Sequence, residues 1–206
     1  MKVIERAILS FQENDFFSPI RTKIDYAKVL VLAARSLLLN IPGDKQQNES
    51  KLKLVVDKMS RMFFYKDTKY FSISFPLNMV ISGSEVVEIT TYSGKLVDNK
   101  SISAVISILN SSHFLLNPSL IDFYIEPYDI ESVGVFLLEE IFQFEPSYIR
   151  YDHDPENVNG KLHPIDHIDI NYSQYSTYKL GLNQTITHDY FENIQNVRTD
   201  CSFIID

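Results

Sequence analysis

The residues with the clearest chemical potential lie in one acidic, histidine-containing stretch. Four of the five histidines fall between residues 153 and 188, and Arg150, Asp152, His167 and Asp169 occupy its densest part. Imidazole and carboxylate groups transfer protons and bind divalent metals, and a guanidinium group can hold an anionic substrate. The sequence therefore places any catalytic chemistry in this stretch.

Three interpretations of these residues remain open. In the first, Asp152, His163 and His167 bind a divalent metal ion, with Asp154 or Asp169 as alternative carboxylates, and the metal activates water for hydrolysis of a phosphate ester. The spacing of the two histidines is weak support, because Pro164 places them in a turn and not on one helical face.

The other two interpretations need no metal. In one, His167 is a general base oriented by Asp152 or Asp169, while Arg150 holds an anionic substrate. In the other, Arg150 pairs across two strands with one of these aspartates, and the patch is structural. The candidate catalytic residues are thus Arg150, Asp152, His167 and Asp169, and the candidate metal ligands are Asp152, His163 and His167.

Two predicted strands, residues 147–152 and 167–172, would position these side chains. Alternate residues of a strand point to opposite faces, so an antiparallel pairing would gather five groups on one polar face. These groups are Arg150, Asp152, His167, Asp169 and Asn171. Lys179, on a further strand predicted over residues 177–182, could join them.

The rest of the chain supplies helices first and strands later. Helical spacing predicts helices over residues 2–13, 23–40, 49–65, 101–110, 130–144 and 187–197. Strands are predicted over residues 70–75, 77–82 and 85–92, with a short one at 123–126. We predict a single α+β domain over residues 1–206, in which N-terminal helices pack against a mainly antiparallel sheet. Residues 1–66 form its mainly helical part and residues 67–206 its strand-rich part.

Composition excludes several classes of protein. With 45% apolar residues and a net charge of −8, the 206-residue chain is neither disordered nor collagen-like. The single cysteine, Cys201, excludes an intramolecular disulfide. Glu5 interrupts the region where a signal peptide would be apolar, and the apolar stretch at 29–34 is far too short to span a bilayer. We expect a cytoplasmic protein that does not contact a membrane.

The charge is divided unevenly along the chain. Residues 1–100 carry 15 basic and 11 acidic side chains, a net of +4, whereas residues 101–206 carry 4 and 16, a net of −12. The basic half could contact nucleic acid, although blocks of like charge more often mark a solvated face. In the predicted helix over residues 49–65, for instance, Lys53, Asp57 and Arg61 would form such a face.

Glu140 is a further residue for which the sequence predicts a polar partner. At 100° per residue it falls within the apolar arc of the predicted helix 130–144. A carboxylate on a buried face requires a partner, and Arg150 is the nearest basic residue in the sequence.

The stretches Tyr148–Asp152, Asp154-Pro155, His163-Pro164 and His167–Ile170 resemble an uncharacterised bacterial family, the domain of unknown function numbered 2290. The resemblance covers roughly residues 120–195 and includes the downstream Ile186–Phe191. It implies a bacterial cytoplasmic protein and no catalytic role.

Two functions are therefore predicted. The first is an accessory or interaction subunit with a protein partner, in a bacterial defence or toxin-type system. The second is a hydrolase or nuclease that uses the histidine and aspartate cluster, with Arg150 as anion clamp and a divalent metal ion as a possible cofactor.

Overall fold

A computed structural model describes residues 1–39, 50–125, 132–172 and 177–203. Its strands are β1 (Lys2–Ala7), β2 (Lys51–Val56), β3 (Ser60–Lys66), β4 (Lys69–Ser74), β5 (Asn78–Ser82), β6 (Glu85–Thr90), β7 (Leu96–Val97), β8 (Ile149–His153), β9 (Asp166–Ile170) and β10 (Tyr178–Leu182). Its α-helices are α1 (Glu13–Phe17), α2 (Lys23–Leu39), α3 (Asn99–Asn110), α4 (Ser112–Leu116), α5 (Ile121–Ile125), α6 (Ser132–Gln143) and α7 (His188–Asn193), and a 3-10 turn at Ser10–Gln12 precedes α1. In the described chain, no helix has the length and apolar character needed to cross a membrane.

The predicted α+β class with a mainly antiparallel sheet is confirmed. Across the described residues, one sheet has the strand order β1-β2-β3-β4-β8-β9-β10, and every neighbouring pair in it is antiparallel. A smaller sheet, β5-β6-β7, is separate. The long insertion between β4 and β8 contains this smaller sheet and α3–α6, and the chain then returns to pair β8 with β4.

The central strands of the large sheet, β2–β4, are buried on both faces. One face, with Leu54, Phe64 and Ile73, belongs to the main core, to which α2, α3 and α6 also contribute. The opposite face is aromatic and packs around Phe191 of α7. Strands buried on both faces need apolar residues at nearly every position.

This double burial explains why the helix predicted over residues 49–65 is wrong. The segment is the β2–β3 hairpin, in which Leu54 faces the main core while Val55 and Phe63 face the aromatic side. A nearly continuous apolar run also satisfies helical spacing, so the period alone could not separate the two structures. Arg61 is buried in the hairpin instead of lying on a solvated helical face.

Two shorter predictions are also corrected. Residues 2–7 form β1 and not the start of a helix, so the first 66 residues are not mainly helical but contain three strands of the large sheet. The strand predicted at residues 123–126 is instead part of helix α5 as far as residue 125, and residue 126 lies outside the described residues. The helices predicted over 23–40, 101–110 and 130–144 correspond to α2, α3 and α6.

Helix α7 is held to the aromatic face by rings and by charge. Phe191 is fully buried, and its ring meets Phe63 at 6.2 Å between centroids. Glu192 accepts hydrogen bonds from Lys53 Nζ at 2.8 Å and from the Tyr65 hydroxyl. These contacts attach the C-terminal segment to β2 and β3.

His188 is the titratable ring in this attachment. Its ring lies 4.3 Å from that of Tyr65 and 4.5 Å from that of Tyr70, and burial, followed by the charge of Lys51, lowers the pKa of His188 below 6.5. The other charged groups that act on the ring are Lys53, Asp189 and Glu192.

We expect the variant His188→Phe, which keeps a ring but cannot be protonated, to lose less stability in acid than the wild type. Because the folded-state pKa is depressed, the neutral ring contributes its full stability above pH 6.5, and this contribution declines as the pH falls through 6.5 toward the folded-state value. Urea unfolding at about pH 8 and about pH 5.5 would measure the difference. Equal acid losses in the two proteins would contradict the prediction.

Candidate functional site

The predicted hairpin of the histidine and aspartate stretch is confirmed. Strands β8 and β9 are antiparallel, with Arg150 opposite Asp169 and Asp152 opposite His167. Lys179 on β10 lies opposite Asp169, as strand alternation predicted for the polar face. The sheet thus brings all four candidate catalytic residues together.

Arg150 is the centre of this polar face. Its Nη2 donates to Asp169 Oδ2 at 2.6 Å, and its Nε lies 2.6 Å from Asp152 Oδ2, an ion-pair contact without hydrogen-bond alignment. Burial lowers the pKa of Arg150, but Tyr148 and the two aspartates more than offset this and raise it. The pKa of Tyr148 is itself raised to about 12 by burial. Arg150 is therefore a permanent cation held between two carboxylates.

This geometry limits what Arg150 and His167 can do for a substrate. The two contacts of Arg150 are internal, so it is only partly available as an anion clamp. His167 is 2% exposed and lies beneath the surface, with Nδ1 3.1 Å from the carbonyl oxygen of Pro164 and Nε2 3.8 Å from Asp152 Oδ2. A substrate would not reach His167 without a rearrangement, so its predicted role as a general base gains no support from the geometry.

The predicted metal ligands are only partly gathered into one group. Among the described residues, Asp152, His167 and Asp169 each offer a ligand atom, and these atoms all lie within 4.8 Å of one another. His163 lies outside this group, although its ring centroid is 4.6 Å from that of His167. The assignment of His163 as a ligand stays a prediction.

The sequence pattern did not predict a second histidine–aspartate pair, His153 with Asp166, because both residues lie one position beyond the predicted strands. His153 is the last residue of β8 and pairs with Asp166, the first residue of β9. His153 Nδ1 lies 2.9 Å from Asp166 Oδ1, and the Tyr151 hydroxyl donates to the same oxygen at 2.6 Å. Burial raises the pKa of Asp166, but the bonds from Tyr151 and His153 outweigh it and the net pKa is lowered. Asp166 is thus an ionised carboxylate that orients His153.

The loop between β8 and β9 is built by local hydrogen bonds. Asp154 accepts from the backbone N–H of Asn157 at 3.2 Å and from its side-chain amide. A second turn pairs Asn159 with His163, and Gly160 takes a positive φ of 53° there, which glycine adopts without strain. The loop therefore holds a defined shape beside the polar face.

The polar face and this loop enclose a groove of about 970 Å³, a size suited to a small ligand or part of a polymer. Both His153 and His163 line it, whereas His167 does not. The cationic side chains on its wall are Arg21, Lys69, Arg150 and Lys179, and the carboxylates are Asp152, Asp154, Glu156 and Asp169.

Two of the groove cations are available to a ligand. Lys69 Nζ lies 3.6 Å from Asp152 Oδ1, and Arg150 is paired with Asp152 and Asp169. Arg21 and Lys179 are exposed and make no ion pair with any described residue. The groove therefore presents two cations that are free of ion pairs within the described chain, on the same wall lining as His153.

Glu140 has a partner, but it is not Arg150. Its carboxylate accepts from the backbone N–H of Ser93 at 3.2 Å and from the Ser93 hydroxyl, so α6 is tied to the turn between β6 and β7. Burial raises the pKa of Glu140, but these hydrogen bonds dominate and lower it overall. The prediction of a required partner is confirmed, and the pairing with Arg150 is wrong because the two residues lie in different parts of the fold.

Comparison with known proteins gives no match to a family model, to a curated protein or to a solved structure. The resemblance to an uncharacterised bacterial family stays a prediction. Function must therefore be argued from the groove itself.

Proposed function

We propose that the protein is a hydrolase of phosphoesters, with a nucleic-acid strand as the favoured substrate and the groove beside β8 and β9 as its active site. The observation that carries the proposal is the His153–Asp166 pair. An acidic partner on Nδ1 fixes the tautomer of His153 and leaves Nε2 unprotonated, which is the arrangement of a general base. Since His153 lines the groove, this base can meet a bound substrate or its attacking water.

The charges of the groove indicate the substrate class. Arg21 and Lys179, which are free of ion pairs in the described chain, can bind phosphate oxygens. Arg150 stays paired with Asp152 and Asp169, so the charge that a phosphate would meet comes from Arg21 and Lys179. A phosphodiester, with one negative charge on each phosphate, matches this arrangement better than a neutral ester does.

Hydrolysis would proceed by attack of water on phosphorus. His153 would accept a proton from the water, and Asp166 would stabilise the imidazolium that forms. The P–O bond to the leaving group would break, that oxygen would take a proton from solvent, and His153 would return its proton to solvent. Arg21 and Lys179 would balance charge on the phosphoryl oxygens.

The test is an assay of the purified protein on labelled single-stranded RNA, single-stranded DNA and bis(p-nitrophenyl) phosphate. We expect cleavage of at least one of them, and a fall of about 10²–10⁴-fold in rate for His153→Gln, the usual contribution of a general base. His113→Gln is the matched control, because His113 lies on α4 outside the groove, and it should keep the wild-type rate. No cleavage of any substrate, or equal rates for wild type and His153→Gln, would overturn the proposal.

An interaction subunit is the second candidate function. Apolar side chains on three neighbouring helices are exposed although such groups are normally buried, and this favours a protein partner. They are Leu115, Leu116, Ile121, Tyr124 and Phe136. A pull-down in which the wild type retains a partner and Leu116→Asp loses it would support the second candidate, and retention by both would count against this surface.

We propose that either activity takes place in the cytoplasm, in keeping with a single cysteine.

A further inference from the structure

We infer that Asp152, His167 and Asp169 form a binding site for one divalent transition-metal ion, such as Mn²⁺ or Zn²⁺. This inference goes beyond the proposed hydrolysis and does not depend on it, because binding can be measured without a substrate. All three residues are at least nine-tenths buried, and their ligand atoms lie within 4.8 Å of one another. One imidazole and two carboxylates are a donor set that suits these ions.

The hydrogen bonding of His167 prepares its other nitrogen to act as a ligand. A carbonyl oxygen only accepts hydrogen bonds, so the 3.1 Å contact with Pro164 assigns the proton to Nδ1. In the neutral ring Nε2 then carries a lone pair, and it lies 3.8 Å from Asp152 Oδ2, which is also an acceptor. Metal-binding histidines usually donate their other ring N–H to a carbonyl or carboxylate oxygen in this way, and the hydrogen bond fixes the tautomer.

Asp169 supplies an independent indication that the cluster binds a cation. Its Oδ2 accepts from Arg150, whereas its Oδ1 has no hydrogen-bond partner among the described residues although the residue is only 4% exposed. A buried carboxylate oxygen without a partner is costly, and buried polar atoms in folded proteins are nearly always satisfied. A metal ion would satisfy it.

The cations that contact the cluster leave one carboxylate oxygen free. Arg150 contacts both aspartates, and Lys69 approaches only Asp152, with its Nζ 3.6 Å from Oδ1. Arg150 contacts the Oδ2 atoms of both aspartates, so Asp169 Oδ1 remains available for coordination. Two ligands of one Zn²⁺ ion lie up to roughly 4 Å apart, given metal–ligand distances of about 2.0–2.2 Å. Binding would therefore need only a small contraction of the cluster.

The experiment is a titration of the purified, metal-free protein with Mn²⁺, in which the electron paramagnetic resonance signal of the free ion reports binding. We expect one ion per chain in the wild type and at least a tenfold higher dissociation constant in Asp169→Asn and in His167→Gln. Glu156→Gln removes an exposed groove carboxylate outside the cluster and should bind as the wild type does. Circular dichroism of each variant separates a lost site from a lost fold.

Thermal unfolding gives a second measurement that does not depend on activity. Mn²⁺ should raise the melting temperature of the wild type and of Glu156→Gln by mass action, and should leave that of Asp169→Asn unchanged. Absence of stoichiometric binding in the wild type, or equal binding by wild type, Asp169→Asn and His167→Gln, would overturn the inference. Hydrolysis that persists in a chelator would separate the two proposals, because it would leave the proposed activity intact while showing that the bound ion is not needed for it.

Discussion

Replacement of Arg150 by methionine is expected to lower the free energy of unfolding by about 3–5 kcal/mol, the usual cost of removing one partner from a buried ion pair. The variant would leave Asp152 and Asp169 buried on adjacent strands without the cation that contacts both. Methionine has a similar length, so lost packing contributes little. Urea unfolding near neutral pH, followed by circular dichroism, measures the change.

Two further variants make this prediction specific. Lys179→Met removes an exposed cation from the neighbouring strand and should change stability by no more than about 0.5 kcal/mol. Arg150→Met combined with Asp152→Asn and Asp169→Asn removes the uncompensated charges and should recover much of the loss. A loss below about 1 kcal/mol for Arg150→Met alone would show that the aspartates do not depend on this arginine.

The polar face could be predicted from the sequence because strand alternation is a local property. Ile149 and Tyr151 alternate with Arg150 and Asp152, and this pattern has only one strand register that buries the apolar side chains. Pairing of Arg150 with Asp152 or Asp169 was one of the predicted alternatives, and Arg150 contacts both. Contact with both aspartates at once could not be predicted, because it depends on the register between β8 and β9. The order of the strands in the sheet also could not be predicted, because β8 pairs with β4 across a long insertion.

The His153–Asp166 pair shows how sensitive a candidate site is to strand ends. The predicted strands stopped at residue 152 and began at residue 167, which placed both residues in a loop. In the structure β8 ends one residue later, at His153, and β9 begins one residue earlier, at Asp166, so these two residues pair with each other. Strand boundaries are governed by the neighbouring chain: here, the N–H of His153 bonds to the carbonyl oxygen of Thr68 beside β4. No signal within the segment itself carries that information.

The uneven charge of the two halves of the chain also has a structural explanation. Lys53 pairs with Glu192, Lys69 with Asp152, and Lys23 with Glu145, so basic residues of the first half meet acidic residues of the second half. These basic residues of the first half therefore form ion pairs within the fold. Contact with nucleic acid through the first half is therefore best proposed for Arg21, which lines the groove and makes no ion pair with any described residue.

Because Asp166 orients His153, the variant Asp166→Asn is expected to slow hydrolysis strongly. Asp166→Asn keeps an oxygen that can accept from the Tyr151 hydroxyl and from His153, but it removes the negative charge that stabilises an imidazolium. The amide can also turn its NH₂ group toward His153 and so favour the wrong tautomer. If His153 is the base, kcat should fall by about 10²–10⁴-fold with little change in KM, since the loss appears in the transition state.

A double variant distinguishes this role from a merely structural one. Residues that act as one catalytic unit give non-additive effects, so His153→Gln with Asp166→Asn should be about as slow as His153→Gln alone. If the two residues acted independently, the fold-losses in rate of the two single variants would instead multiply in the double variant. The assay is steady-state hydrolysis of the substrate identified for the wild type, with unfolding curves to show that each variant is folded. If Asp166→Asn retains the wild-type kcat, the pair is structural and the general base must be sought elsewhere in the groove, where His163 is the remaining histidine on the wall.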